Sequence, residues 1–445
     1  MCLNMAGQTV LVVTSARVAK ELMEKHAGAL ADRPRLIVAS EIISDSRRMV
    51  ISSYTPKLRR ARHFLHQHLG KGDTFSTVQE LEAKALALNL LNKPDDFADH
   101  CQLFASNLVL KLVYGFRCDS AKDPCIQKLL ADVEAWTKSA EPGYHLVDSF
   151  PGLNKLPSAL RPWQSYGDKL HQSELSLYNR LLEPTRAKLK AGEDPDCLAR
   201  YLIEQQQQND FCDKDIAYIL GTLFEAGSDT TTSALLALVM ALCVNPSALA
   251  TAQAELDQVV GDQRLPTLED KSNLPYVECL WKEVQRWRPS APFAVPHYLS
   301  GGNLDFDGYT LPQGSQVIGC TYAIGRDTSV YGEDVESFRP ERFYSPSVRQ
   351  QSDLMPAMGS PAFGYGRRIC PGLHVATNSM FLTFATICWG FHVEADPNHP
   401  IDVNDYSPTF VSHANPFKCK IIPRSSHRAD MMRSVGLEAL QELAH

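Results

Sequence analysis

The sequence predicts a mainly α-helical α+β domain with small β-sheets, a single unit spanning all 445 residues. Three observations carry this. Helix-period apolar spacing recurs along most of the chain, whereas strand-and-turn chemistry is confined to short runs. No internal repeat is visible, and no linker is long or biased enough to divide the chain. Hydrophobic residues make up 44% and charged residues 21%, an ordinary globular composition that excludes collagen-like, disordered and coiled-coil architectures.

The β-branched run TVLVVT at 9–14 reads as a strand, and Ser15 caps a helix whose apolar stripe is Val18, Leu22 and Met23. Arg59, Arg60, Arg62, His63, His66 and His68 then crowd one solvated helix face. Helical spacing returns over 102–116 and 127–136. At 148–163 the run DSFPGLNKLPSALRPW breaks it, and prolines amid apolar residues describe an exposed, partly hydrophobic loop. A helix follows over 164–190, with a kink expected at Pro184. Asp213 opens a long helix that Asn245 and Pro246 end; its apolar stretch 233–244 is too short for a membrane span. Helices over 248–260 and 274–287 stop at Gly261 and Pro289. Phe306-Asp307-Gly308-Tyr309 is hairpin-turn chemistry, and a strand follows over 316–321. The last long helix begins after Cys370, with Met380, Phe384 and Ile387 on its apolar face.

Charge and cysteine usage narrow the function. The 44 basic and 51 acidic residues leave a net charge of −7, which argues against a nucleic-acid binder. Twelve cysteines lie scattered without a CxxC pair, so neither a disulfide framework nor a zinc ribbon is expected. Reduced thiols in a cytosol-facing protein are the default. Residues 1–13 lack a basic region followed by a long apolar stretch, so neither signal peptide nor membrane anchor is read there.

The strongest chemical signal is Phe363-Gly364-Tyr365-Gly366-Arg367-Arg368-Ile369-Cys370-Pro371-Gly372. This glycine-rich loop delivers one cysteine to the start of a helix, with Pro371 suited to the first turn. Two arginines and free backbone N–H groups beside the thiol predict a lowered pKa and a thiolate. Gly366 and Gly372 permit close approach of a flat ligand, and Phe363 can shield the sulfur. Such a thiolate serves as a nucleophile or as an axial haem ligand. A buried structural cysteine is the bland alternative, but the five fixed positions of FxxGxRxCxG match by chance about once in ten thousand chains of this size. A phosphate-cradling loop fails because no Lys-Ser/Thr pair follows.

At these residues the chain resembles the cytochrome P450 superfamily of haem-thiolate monooxygenases. The resemblance implies the P450 fold, haem b as cofactor, Cys370 as the axial ligand of its iron and Arg368 at a propionate. Within the long helix, Ala226-Gly227-Ser228-Asp229-Thr230-Thr231 is a cluster of mediocre helix formers. Gly227 would leave room against the backbone, and a kink alone would also explain the cluster. It matches the family's oxygen-binding motif, which implies that Thr230 hydrogen-bonds the oxygen-derived ligand and Asp229 passes protons inward. Glu283 and Arg286 form an ExxR pair that is weak alone. Followed by Phe338-Arg339-Pro340-Glu341-Arg342-Phe343, it implies a structural triad of Glu283, Arg286 and Arg342 behind the cysteine loop.

By the same resemblance His297 binds a propionate, with a plain core histidine as its alternative. Arg62 keeps the propionate arginine of the family's WxxxR helix, while Leu58 stands in place of the tryptophan, leaving one donor absent. Implied pocket walls are Ile219, Leu223, Ala226, Phe293, Val295 and Phe410, all apolar. The resemblance covers nearly the whole chain and is closest to fungal members that oxidise secondary metabolites. It also describes a shortened front: the sequence enters the fold at 9–14, without the family's membrane-anchor helix, hinge, first helix and strand.

The function so implied is insertion of one oxygen atom from dioxygen into a lipophilic small molecule, terpenoid- or polyketide-like. Electrons come from NADPH through a separate NADPH-cytochrome P450 reductase, since no GxGxxG follows a strand to open a helix. The implied location is the cytosolic face of the endoplasmic reticulum, with peripheral membrane contact through the loop 150–160. Two rivals are a haem-thiolate isomerase or dehydratase, against which Thr230 and Asp229 argue, and an inactive haem-binding relic.

Overall fold

The β-branched run at the front forms a strand with burial on both faces: Val10 and Val13, three residues apart and therefore on opposite sides, are both buried. In the computed structural model, which describes residues 1–5, 7–70, 74–344 and 360–444, this strand is β2 (Gln8–Val13). It pairs antiparallel with β1 (Cys2–Met5) and parallel with β6 (Gln316–Gly319), and β6 also pairs antiparallel with β3 (His297–Tyr298). The sheet order β1-β2-β6-β3 thus fixes His297 against the front of the chain. Strands β4 (Leu304–Phe306) and β5 (Tyr309–Leu311) form the expected hairpin, with Asp307 at φ 51° and Gly308 at φ 80°, the two left-handed residues such a turn needs. Strands β7 (Phe391–Ala395) and β8 (Cys419–Pro423) make a third, antiparallel sheet.

Helices make up the rest. In the first half they are α1 (Ala16–Lys20), α2 (Pro56–Leu69), α3 (Ser76–Asn92), α4 (Phe97–Tyr114), α5 (Pro124–Ser139), α6 (Leu146–Ser149), α7 (Pro162–Lys190) and α8 (Leu198–Glu204). Then come α9 (Asp213–Val244), α10 (Pro246–Val259), α11 (Pro275–Trp287), α12 (Thr321–Ile324), α13 (Thr328–Tyr331), α14 (Leu373–Gly390) and α15 (Ser426–Leu443). Ser15 precedes α1, but its side chain makes no capping bond to the helix. Pro184 lies inside α7, which runs on past it to Lys190.

The core is organised around α9. It is long and apolar enough to cross a membrane, yet 78% of its most apolar window is buried within the fold. Gly227 explains part of that packing. A Cβ there would lie 2.6 Å from Val109 Cγ2, so the missing side chain admits α4 rather than a ligand. The C-terminal half of α9 packs with α3, α4, α10, α11 and α14, and its N-terminal half with α2, α4, α7 and α8.

Candidate active site

The cysteine loop is built by its own backbone. Gly364 (φ 75°) and Gly366 (φ 53°) adopt left-handed conformations, and the Cys370 amide closes the loop on the Phe363 carbonyl at 2.9 Å. Gly366 presses against another element, since a Cβ there would lie 2.8 Å from Ala27 Cβ. Phe363 packs on the main apolar cluster. Helix α14 starts at Leu373, so Cys370 and Pro371 both precede it, and the expected place of Pro371 in the first turn is corrected.

The expected low thiol pKa is corrected as well. Burial pushes the Cys370 thiol above its ordinary value, against the opposing pull of the Gly372 N–H and the Arg62 charge. Desolvation of the enclosed sulfur outweighs both of these opposing contributions. A thiolate at this position calls for a cation bound at the sulfur itself, as a coordinated metal ion provides.

Such an ion's carrier has a cradle beside it. Arg368 is buried and gives its guanidinium to four backbone carbonyls, those of Ala31, Ser52, Met49 and Val50, at 3.0–3.2 Å. Arg33, also buried, donates to Val50, Val295 and Pro296 carbonyls at 3.0 Å. Arg62 on α2 reaches the Ile369 carbonyl, next to the cysteine. Among the described residues, none of these three forms an ion pair with a carboxylate. Burial, then mutual repulsion, holds Arg33 well below its ordinary pKa, and burial lowers Arg62 and takes Arg368 to about 10. Arginines stay protonated at any working pH, so the shifts record unrelieved positive charge.

His297 stands in the same field. Burial first, then Arg33, takes its imidazole to about 3, and its Nδ1 lies 2.7 Å from the Leu30 carbonyl. The neutral ring donates there from Nδ1–H. A bond from Nε2 to a carboxylate therefore requires the ring to gain a proton, which an anion arriving beside it favours. Two buried arginines and a half-buried third, none ion-paired with a carboxylate among the described residues, next to a cysteine, fit a flat cofactor bearing two carboxylates. Arg33 escaped sequence reasoning because it is a lone arginine outside any motif. Arg33→Leu is expected to speed haem loss to a competing apo-globin about tenfold, the worth of one charge-assisted hydrogen bond. An unchanged transfer rate would remove Arg33 from the cradle.

On α9, Ala226 is exposed and Leu223 and Thr230 are half-buried, although the helix is buried before and after them. Spaced at i, i+3 and i+7, they form one accessible strip. Thr230 Oγ1 donates to the Ala226 carbonyl at 2.8 Å. Ile219 departs from this strip: it is 4% exposed and lines a separate cavity of about 40 Å³ with Leu58, Ala61 and Asp215. The segments carrying Phe293 and Phe410, 53% and 39% exposed, are tied to the helix beside Thr230. Ser290 Oγ donates to the Thr230 carbonyl at 3.0 Å, the Ser412 amide to the Ser290 carbonyl at 2.8 Å, and Ser233 Oγ to the Ser412 carbonyl at 2.7 Å. Val295 is half-buried between Phe293 and His297. Asp229 meets a residue the sequence did not single out, His413, whose Nε2 lies 2.8 Å from Oδ1.

Behind the cysteine loop, Glu283, Arg286 and Arg342 come together fully buried. Glu283 accepts from Arg286 Nε and Nη2 at 2.7 and 2.8 Å and from Arg342 Nε at 3.0 Å.

A family model described as cytochrome P450 matches residues 1–421. A cytochrome P450 monooxygenase of Armillaria gallica is 32% identical over 438 residues, covering 95% of this chain and 83% of the relative. Another, of Postia placenta, is 34% identical over 425 residues, covering 95% and 84%. A third, of Ampulloclitocybe clavipes, is 31% identical over 445 residues, covering 98% and 82%. Among solved structures, a zebrafish cytochrome P450 with progesterone superposes with a TM-score of 0.78 at 22% identity, covering 95% of this chain and 96% of that one. A zebrafish structure with abiraterone gives 0.76 at 20% identity, covering 96% of both chains.

Proposed function

The chain belongs to the cytochrome P450 family, and on that footing we propose that it inserts one oxygen atom into a lipophilic secondary metabolite, terpenoid- or polyketide-like. NADPH is the electron source, through a separate reductase. The observation that carries this reading is the accessible strip of α9, where an acid and an alcohol, Asp229 and Thr230, stand beside apolar residues. Haem, held in this family through a cysteine thiolate, supplies dioxygen activation when bound, and Cys370 is the residue assigned to its iron.

The remaining roles are the chain's own. Arg33, Arg62 and Arg368 bind the cofactor's carboxylates, with His297 beside them. Phe363 covers the sulfur side, with the loop glycines Gly366 and Gly372 shaping the backbone there. Leu223, Ala226, Phe293, Val295 and Phe410 hold an apolar substrate and exclude water. Thr230 holds a proton at Oγ1 and can turn it from the Ala226 carbonyl toward the reacting group. Asp229 replaces that proton from its carboxyl. Leu146, Phe150, Leu156 and Leu160 are large apolar side chains left exposed close together in sequence. They suit contact with a bilayer surface on the cytosolic face of the endoplasmic reticulum.

The test uses purified holoenzyme, a cytochrome P450 reductase, NADPH and 7-ethoxycoumarin as probe substrate. Dioxygen consumption is expected only with reductase present. In Thr230→Ala, product per NADPH should fall roughly 100-fold, the scale of a lost proton-delivery group, with the balance appearing as peroxide. Reductase-independent turnover would overturn the monooxygenase reading, and unchanged coupling would remove Thr230 from proton delivery.

A further inference from the structure

We propose that His413 is the positioning and relay residue for Asp229, bringing solvent protons to the acid through a single hydrogen bond from the C-terminal loop. The inference rests on the reading of Asp229 as proton donor and goes beyond it by naming where that proton enters. Imidazole Nε2 lies 2.8 Å from Asp229 Oδ1, and the two side chains remain 25% and 17% exposed. Among the described residues His413 is the only cationic or titratable side chain paired with Asp229. One end of the imidazole therefore faces the acid while part of the ring still meets water, the arrangement a proton shuttle needs.

The loop has ties of its own besides this bond. Ser407 Oγ accepts from the His413 amide at 2.9 Å, and the Ser407 amide donates to the His413 carbonyl at 2.8 Å. Ser412 Oγ donates to the Ser407 carbonyl at 2.9 Å, and Thr409 Oγ1 to the Val411 carbonyl at 2.6 Å. Ser412 is anchored on α9 through Ser233 and on the post-α11 segment through Ser290. With the loop so fastened, the imidazole–carboxylate bond is left to set the acid. It also joins proton entry to the substrate wall, since Phe410 belongs to the same loop.

The transfer balances. A proton taken from solvent water at Nδ1 matches the Nε2 proton given to Asp229 Oδ1, and the resulting carboxylic acid gives one proton on toward Thr230. One proton moves inward, no electron moves, and the ring is left neutral with its proton on Nδ1; a ring flip or proton exchange with water restores the Nε2–H form for the next transfer.

The test compares wild-type holoenzyme with His413→Phe, His413→Asn and Asp229→Asn. Phenylalanine keeps ring volume without a donor, whereas asparagine offers an N–H that cannot relay a proton. Product per NADPH with 7-ethoxycoumarin should drop at least threefold in both His413 variants, less than the roughly 100-fold or more of a general acid lost outright, because Asp229 itself remains. Hydrogen–deuterium exchange of peptides over 226–233 and 405–415 supplies a readout independent of turnover. Protection there should fall in His413→Phe and Asp229→Asn alike, with no further fall when the two are combined. Wild-type coupling in His413→Asn overturns the relay, and additive exchange in the double variant overturns the bond. Wild-type coupling in Asp229→Asn, by contrast, removes the Asp229 reading on which the inference stands. Should the phenylalanine variant fail to fold, the asparagine variant alone still decides the relay.

Discussion

Cys370→Ala is expected to abolish the red-shifted Soret band that a thiolate-ligated haem gives when reduced under carbon monoxide. The loss should be complete, because thiolate ligation is a property of one sulfur and no other cysteine lies in the loop. The loop itself should persist. Its closure runs through the Cys370 amide to the Phe363 carbonyl, which alanine preserves, and Gly364 and Gly366 keep their conformations. Arg33, Arg62 and Arg368 are untouched, so some haem should still be captured, with the absorption of a neutral ligand in place of the thiolate. Two measurements therefore separate cleanly: haem content falls in part, while the thiolate band goes to zero. Survival of that band in the variant would refute the ligand assignment.

The contrast between what sequence did and did not reveal follows the range of the interactions. Helix α9 could be bounded at both ends because Asp213 opens it and Asn245-Pro246 stop it locally. The cysteine loop was legible for the same reason, as ten consecutive residues. Helix α3 was not, because Leu81, Ala83, Ala85, Leu86, Ala87 and Leu88 are buried on every side and leave no amphipathic period to read. Helix α15 does carry a stripe, Arg428, Met432, Gly436, Ala439 and Leu443, within a polar segment. Its meaning appears only with its partners: a Cβ on Gly436 would lie 2.6 Å from Leu88 Cβ, and Arg428 donates to the Trp389 carbonyl.

Within the site, the errors have one physical source. Cys370 was assigned a helix N-terminus, but the helix begins at Leu373 and burial dominates the thiol. Gly227 does leave room against the backbone, as its sequence context implies, but only the fold shows that Val109 fills it. Arg33 and His413 carry no motif; they reach the site across contacts of 262 and 184 residues in sequence separation. Only the folded chain brings such residues to their partners.

The second large effect is expected at Glu283. Its two oxygens accept from Arg286, from Arg342 and, at 2.7 Å, from the Arg339 amide, all in the buried core behind the cysteine loop. Glu283→Gln keeps the shape but removes the charge that both arginines share, leaving Arg342 with the more exposed Asp334 at 3.2 Å, and turns an N–H toward two guanidinium groups. Leaving the buried Arg286 without a carboxylate in this way costs ~3–5 kcal/mol, a large share of the ~5–15 kcal/mol that holds a typical domain folded. Thermal unfolding of the holoenzyme should shift down, and the thiolate band should vanish before global unfolding. The reason is local: Arg342 fixes the Tyr331 carbonyl, and Tyr331 packs in one cluster with Tyr365 of the cysteine loop.

Replacing all three members by methionine would often recover stability in a buried ion cluster. Here it should not. Arg286 donates to the Gly325, Val335 and Ser337 carbonyls, and Arg342 to those of Tyr331, Asp334 and Ser337. Methionine would leave the buried Gly325 and Tyr331 carbonyls without that donor, an additional cost of ~1–3 kcal/mol apiece, and would release the less buried Asp334, Val335 and Ser337 carbonyls to water. The triple variant is therefore expected to unfold at a lower temperature than Glu283→Gln alone. A triple variant as stable as the wild type would mean that the arginines serve the glutamate and not the backbone they clasp.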